Sequence, residues 1–291
     1  MTGRALPAGP VFFIILASLS FACMGLAVKG AAELTVFQTT LFRSLVNLGI
    51  ILVPMIKKAA GGPGAELFWG RRGNRRFLML RAVCGLLGVG ALFYALPRMP
   101  IGDSSALSRL HPFFITLLAA LFLKEKITPP RILALIIGFA GALFILKPRF
   151  DFSLLPGLLC FSASLWTAGA YTALHCLGGR EAPETPVFWF AGLTILVTLI
   201  PALAFWVSPS PAGWACLLAA GGFAALSQFC ITRAYQGAPA GAISVFEYTH
   251  ILFSLLLGWF LLGETPDLWS LLGSLMIIGM GVFLFLQGRR P

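Results

Sequence analysis

Charge is what this sequence has least of. Asp and Glu number 10 in 291 residues, and all charged types together make up 11%, against about 25% in ordinary soluble domains. Apolar residues fill 58% of the chain, and its mean hydropathy is +0.92. A soluble fold of this size could not bury that much apolar surface, so the chain reads as an all-α integral membrane protein.

Other absences narrow the function. The cysteines at 23, 84, 160, 176, 216 and 230 lie inside or at the ends of apolar runs, and none form a CxxC pair. They read as small hydrophobes rather than as disulfides or metal ligands. There is no Gly-x-Ser-Gly motif, no His-Glu-x-x-His and no Walker lysine. The glycines from Gly85 to Gly90 lack GxGxxG spacing. Neither an enzyme, nor a metal, nor a cofactor is expected. The net charge of +11 has no soluble basic domain to sit on, so nucleic acid is not an expected partner. No folded extramembrane domain is visible through which a receptor or scaffold could signal.

What the chain has in abundance is spans. About 20 apolar residues cross a bilayer, and ten stretches qualify: 11–29, 35–56, 77–97, 101–123, 129–147, 154–177, 185–206, 211–234, 239–262 and 267–287. The first follows Arg4 and runs into Ser20-Phe21-Ala22-Cys23. It mimics a signal peptide, but Ser20 stands where a lipobox has a large aliphatic, and more spans follow. It is read as a retained helix. Most connections are short and marked by Pro, Gly or charge. The exception is 57–76, polar, Gly-rich and basic, expected as a flexible cytoplasmic loop. With the N-terminus inside, inner segments carry fourteen Lys and Arg and outer segments four. The positive-inside bias thus puts both termini in the cytoplasm of a cell-membrane protein.

The stretch MPIGDSSALSRLHPFFITLLAALFLKEK matches APAGAISVFEYTHILFSLLLGWFLLGET at a shift of 139. Pro100 falls on Pro239, Gly102 on Gly241, Ser105 on Ser244, His111 on His250 and Glu125 on Glu264. Each half, 11–147 and 154–287, then holds five spans. Five is odd, so the second copy enters the membrane upside down. That is an inverted repeat, an arrangement that places transporter sites between the halves near the midplane.

The chain resembles ten-helix members of the drug/metabolite transporter superfamily with two EamA repeats. The residues carrying the resemblance are Phe42-Arg43-Ser44, the block FYALPRMPIGDSSALSRLHPFF, Leu123-Lys124-Glu125 and Leu262-Gly263-Glu264. It implies solute movement by alternating access through a central cavity. Lys124 replaces the usual Gly of that ending, and the seventh span has no equivalent of Arg43.

Ionisable groups inside a span need a partner or a wet cavity. The fourth span, read as one helix from Ile101 to Leu123, carries Arg109, with His111 sharing a face with Ser104 and Ser108. Pro112 has no N–H, which leaves the Ser108 carbonyl without its helical partner. This helix is expected to border a cavity. The ninth span carries Ser244, Glu247, His250 and Ser254 on one stripe. Glu247 aligns with Ser108, beside Arg109, so Arg109 and Glu247 are expected to face each other. They either lock helices four and nine or hold the anionic and cationic ends of a solute. The histidines are proton or ligand groups, or interhelical hydrogen-bond partners. Trp166 and Tyr171 in the sixth span could stack on a solute or pack. Gln228 could bind solute or bridge helices. Tyr94 and Tyr248 could gate the cavity or sit at the interface. Arg43 reads as structural, and Arg81 as snorkelling to the cytoplasmic surface. The glycine-rich fifth and tenth spans read as lipid-facing scaffold or a homodimer contact.

A secondary transporter, with export the expected direction, follows for a small polar metabolite such as an amino acid or related zwitterion. S-adenosylmethionine-like and nucleoside-like solutes are the alternatives, moved by a facilitator or antiporter. The partners are then a small solute and the lipid bilayer.

Overall fold

The computed structural model describes residues 8–60, 64–123, 129–146, 154–177, 180–237 and 244–287. Every regular element among them is helical. The long helices are α1 (Ala8–Gly30), α2 (Val36–Ala59), α4 (Arg75–Ala95), α8 (Leu155–Leu177), α9 (Glu184–Ala204) and α10 (Pro211–Gly237). The short α3 (Gly64–Trp69) precedes α4. Helices α5 (Ile101–Ser108), α6 (His111–Leu123) and α7 (Pro129–Leu146) complete the first half. Helices α11 (Thr249–Leu262) and α12 (Leu268–Gln287) complete the second. Among the described residues, six helical stretches are long and apolar enough to cross a membrane. The chain is an integral membrane protein of the multi-pass type.

The helices pair lengthwise: α1 with α10, α4 with α8, α2 with α9, α7 with α12, and α5 with α11. Small residues allow the closest of these contacts. A Cβ on Gly273 of α12 would lie 2.5 Å from the Gly141 carbonyl oxygen of α7, and one on Gly141 would lie 2.9 Å from Gly273 O. Phe144 stacks on Trp269 beside this crossing, at 5.4 Å between centroids. The glycine edges of the fifth and tenth spans thus meet each other within one chain. A second copy could meet only their remaining faces.

Helix α2 begins with a capping box. Thr35 Oγ1 accepts the Gln38 N–H at 3.2 Å, and Gln38 Oε1 accepts the Thr35 N–H at 3.3 Å. Gln38 is fully buried and also exchanges two hydrogen bonds with the backbone of Val207. Close by, Glu33 Oε1 accepts from the Ser210 hydroxyl at 2.7 Å. The other end of the α2–α9 pair is tied as well. Lys58 pairs with Glu184, Thr185 Oγ1 donates to Leu67 O at 2.8 Å, and Trp189 Nε1 donates to Phe68 O at 3.1 Å.

These last bonds correct the reading of 57–76 as a flexible loop. Leu67, Phe68 and Trp69 are too apolar for a solvated turn. They form α3, which docks on α9 with Phe68 edge-on to Phe188. Gly70 turns the chain at φ +63°, where only glycine is unstrained.

The single helix expected over 101–123 is broken instead. Helix α5 stops at Ser108, Arg109 and Leu110 form a turn, and α6 starts at His111. Because Pro112 cannot donate to Ser108, the last turn tightens: Leu110 N–H bonds Leu107 O at 3.2 Å. The ninth span has its break at the matching place, a 3-10 helix over Ser244–Tyr248 before α11.

Glu264, from the end of the second repeat block, anchors the start of α5. Its Oε2 accepts the Ile101 N–H at 2.8 Å, and Oε1 pairs with Lys29 of α1. Lys29 also donates to Met99 O at 2.7 Å. Its repeat counterpart Glu125 lies outside the described residues. Glu264→Gln should keep the Ile101 acceptor and cost about 1 kcal/mol for the exposed-side ion pair. Glu264→Ala should cost roughly 2 kcal/mol by losing both. Thermal unfolding in detergent checks the order; equal losses would mean the backbone bond contributes nothing.

Candidate functional site

A cavity of about 150 Å³ opens between the two broken helices and the long ones around them. An apolar protein cavity of that size holds a benzene ring. This one is mixed in character. Phe21 and Met24 of α1, Val89 and Phe93 of α4, and Phe190 of α9 give the apolar wall. Ser104, Ser105, Ser108, Arg109, His111, Tyr171, Gln228 and His250 give polar atoms, together with Arg43 and Arg81.

The breaks supply the centre of the polar wall. Arg109, in the turn between α5 and α6, extends Nη1 to Glu247 Oε2 at 2.9 Å. Glu247 lies in the matching break of the second half. Both side chains are mostly buried, and the Arg109 guanidinium also sits over the Phe21 ring at 5.6 Å. The carbonyl that Pro112 frees has found another donor: His111 Nδ1–H lies 3.1 Å from Ser108 O. With Nδ1 so used, Nε2 is the atom facing Glu247 Oε2, at 3.9 Å. The imidazole thus repairs the broken helix with one nitrogen and addresses the ion pair with the other. Its ring lies against Tyr171, centroids 5.4 Å apart.

His250, the repeat partner of His111, is 8% exposed and its Nδ1 has no hydrogen-bond partner among the described residues. Phe21 meets it edge-on at 6.3 Å. Below this layer α5 and α11 are joined by Ser105 Oγ–H donating to Ser254 Oγ at 2.7 Å. Among the described residues no group of three His, Cys, Asp or Glu side chains could hold a metal ion.

Of the residues singled out from sequence, Arg109, His111, Ser108, Tyr171, Gln228 and His250 line the cavity, and Glu247 reaches it through Arg109. Trp166 lies outside the wall, 38% exposed. Tyr94 is engaged with Arg98, whose guanidinium sits 3.9 Å from its ring. Tyr248 is packed in the core against Gly281. The side chain of Ser244 lies outside the described residues.

One cavity residue was misread. Arg81 does not snorkel to the surface: its guanidinium turns inward over Phe190, at 5.1 Å. Arg43 meets the same ring at 5.5 Å and Phe93 at 5.8 Å, and is 4% exposed. A signal was available for Arg81. Gly85 follows one turn later on the same face, and a Cβ there would fall 2.5 Å from Arg81 Nη1.

Comparison with known proteins agrees with this architecture. The model of the EamA-like transporter family matches residues 9–147 and again 155–287. The chain is 32% identical to the pseudopaline exporter CntI of Pseudomonas aeruginosa, over 92% of this chain and 93% of that protein. It is 34% identical to a riboflavin transporter of Brucella anthropi, over 72% and 76%. It is 26% identical to an S-adenosylmethionine uptake transporter of Rickettsia conorii, over 87% and 84%. A solved crystal structure with 19% identity superposes at a TM-score of 0.68, covering 97% of this chain and 99% of that one. Two family-model matches that together cover nearly the whole chain place it in the EamA-like transporter family.

Proposed function

We propose that this transporter exports a small polar metabolite, such as an amino acid or related zwitterion, by alternating access through the central cavity. The Arg109–Glu247 pair carries the reading. Each charge costs roughly 2.5–3.5 kcal/mol to insert at membrane depth, yet both sit at helix breaks, beside a cavity. Parted, they offer a cation to a carboxylate and an anion to an ammonium. Tyr171, Gln228, Ser108 and His250 supply further contacts. His111 Nε2 is the atom through which a proton would enter the pair.

The proposed architecture is ten helices in two inverted five-helix repeats, 11–147 and 154–287. Two observations favour it. Exchanging the halves turns the α1–α10 pairing into α8–α4 and the α6–α8 pairing into α11–α1, and returns α2–α9 and α7–α12 to themselves. Both broken helices also break just before the histidines 139 residues apart. The Lys and Arg bias then sets both termini in the cytoplasm. No enzymatic activity is assigned.

Substrate-induced thermal stabilisation and uptake into inside-out vesicles test the reading together. An amino acid that stabilises and accumulates with wild type should do neither with Glu247→Gln. Equal behaviour of the two proteins would reduce the pair to a helix lock. The aromatic wall of Phe21, Tyr171 and Phe190 favours one second reading, a nucleoside-like or S-adenosylmethionine-like solute. Riboflavin and a nucleoside in the same panel separate the two.

A further inference from the structure

We propose that Arg43 and Arg81 form an oxyanion subsite in the cavity, separate from the Arg109–Glu247 pair, so that the solute carries a second acidic group. The inference rests on the transporter reading above and names its substrate class more narrowly.

Three arginines line one membrane-embedded cavity. Arg109 is neutralised by Glu247. Among the described residues, neither Arg43 nor Arg81 has a carboxylate partner, and Arg43 Nε, Arg43 Nη1 and Arg81 Nε are buried with no hydrogen-bond partner at all. Arg43 is buried and Arg81 half-buried; each buried N–H without an acceptor forgoes a hydrogen bond it would make in water. Rings lie against both guanidinium groups: Phe190 beneath both, and Phe93 beside Arg43. Rings hold a guanidinium by its face and leave its N–H edge free. That edge is the part that grips a carboxylate or phosphate with two parallel hydrogen bonds.

The two residues come from different helices, α2 and α4, with α9 supplying the ring between them. No packing contact of a shared helix face explains why both turn inward. Gly85 leaves the room that Arg81 occupies. Among the described residues no carboxylate pairs with Arg43 or Arg81, so there these two positive charges of the cavity stand uncompensated. A zwitterion alone would leave them so. A solute with an additional carboxylate would not, whereas a net cation would be repelled.

The test uses full-length purified protein in detergent, with succinate, sulfate and glycine as probes at matched ionic strength. Wild type, Arg43→Gln, Arg81→Gln and Arg43→Lys are compared by thermal unfolding. Succinate and sulfate should raise the Tm of wild type saturably, and glycine should raise it less. Each Gln variant should weaken the apparent Kd for succinate about tenfold or more, since one charged hydrogen-bond donor is lost. Arg43→Lys should fall between. Without any probe, the Gln variants should unfold at or above the wild-type Tm, because an unpaired buried charge has gone. If neither succinate nor sulfate stabilises wild type, or if the Gln variants respond as wild type does, the subsite does not exist. A lowered Tm without probe, with binding unchanged, would make both arginines structural and overturn the proposal. Binding here is read without transport. Export that persists while succinate binding is absent would sink the subsite and leave the transporter reading standing. Binding that persists without export would fault that reading and support the subsite.

Discussion

Arg109→Leu and Glu247→Leu should each destabilise the protein by about 3–5 kcal/mol, because each removes one partner of a mostly buried ion pair. The pair is a 2.9 Å contact between side chains only 10% and 15% exposed, so water can replace little of what is lost. Replacing both, as Arg109→Leu with Glu247→Leu, should return most of that stability, since no charge is left unpaired. Transport should not return. Unfolding midpoints in detergent and vesicle uptake, measured on all four proteins, give a full double-mutant cycle. If the double variant regains transport with its stability, the pair is a lock and touches no solute. If stability returns alone, the two charges act on what passes between them.

The second large effect should come from a single methyl group. Gly273→Ala puts a Cβ 2.5 Å from the Gly141 carbonyl oxygen, a backbone atom that cannot turn aside. Helices α7 and α12 must separate, at a cost of about 1–3 kcal/mol. Gly141→Ala should behave alike, with Gly273 O at 2.9 Å. Gly279 lies on the same helix α12 with nothing within 4 Å of the added atom. There alanine should be neutral or stabilising by up to about 1 kcal/mol, from helix propensity alone. Thermal unfolding of the three variants decides it. A Gly279→Ala loss as large as that of Gly273→Ala would show that the crossing is not what the glycines serve.

The repeat was the most informative thing in the sequence. It set Glu247 opposite the neighbourhood of Arg109 before any coordinates, because a shift of 139 puts Glu247 on Ser108. Pro112 announced a freed carbonyl at Ser108. That His111 would supply its new donor was not legible, since a ring rotamer decides it. The extent of the break was also hidden: proline marks where a hydrogen bond is lost, not how many residues unwind. Arg81 was misread because distance from a span end says nothing about which face a side chain leaves from. Only its spacing to Gly85 carried that. The helix within 57–76 was hidden by its glycines and cations, although Leu67-Phe68-Trp69 is a run that water does not favour.

The α2–α9 pair is fastened at both ends. Gln38 and Glu33 hold 207–210 at one end, and Lys58, Leu67 and Phe68 hold 184–189 at the other. Mechanically this is a strut tied at both ends, with one internal proline in each helix, Pro54 and Pro201. It joins one helix from each half, so the halves cannot swing apart as two independent blocks. Any rocking has to pivot about this strut, and the slack has to come from places where the backbone is already interrupted. Those places include, beside the cavity, the turn at Arg109–Leu110 and the 3-10 segment ending at Tyr248. Among the described residues, these two interruptions beside the cavity are the same two points that hold its central charges, so movement at either would change the distance between them.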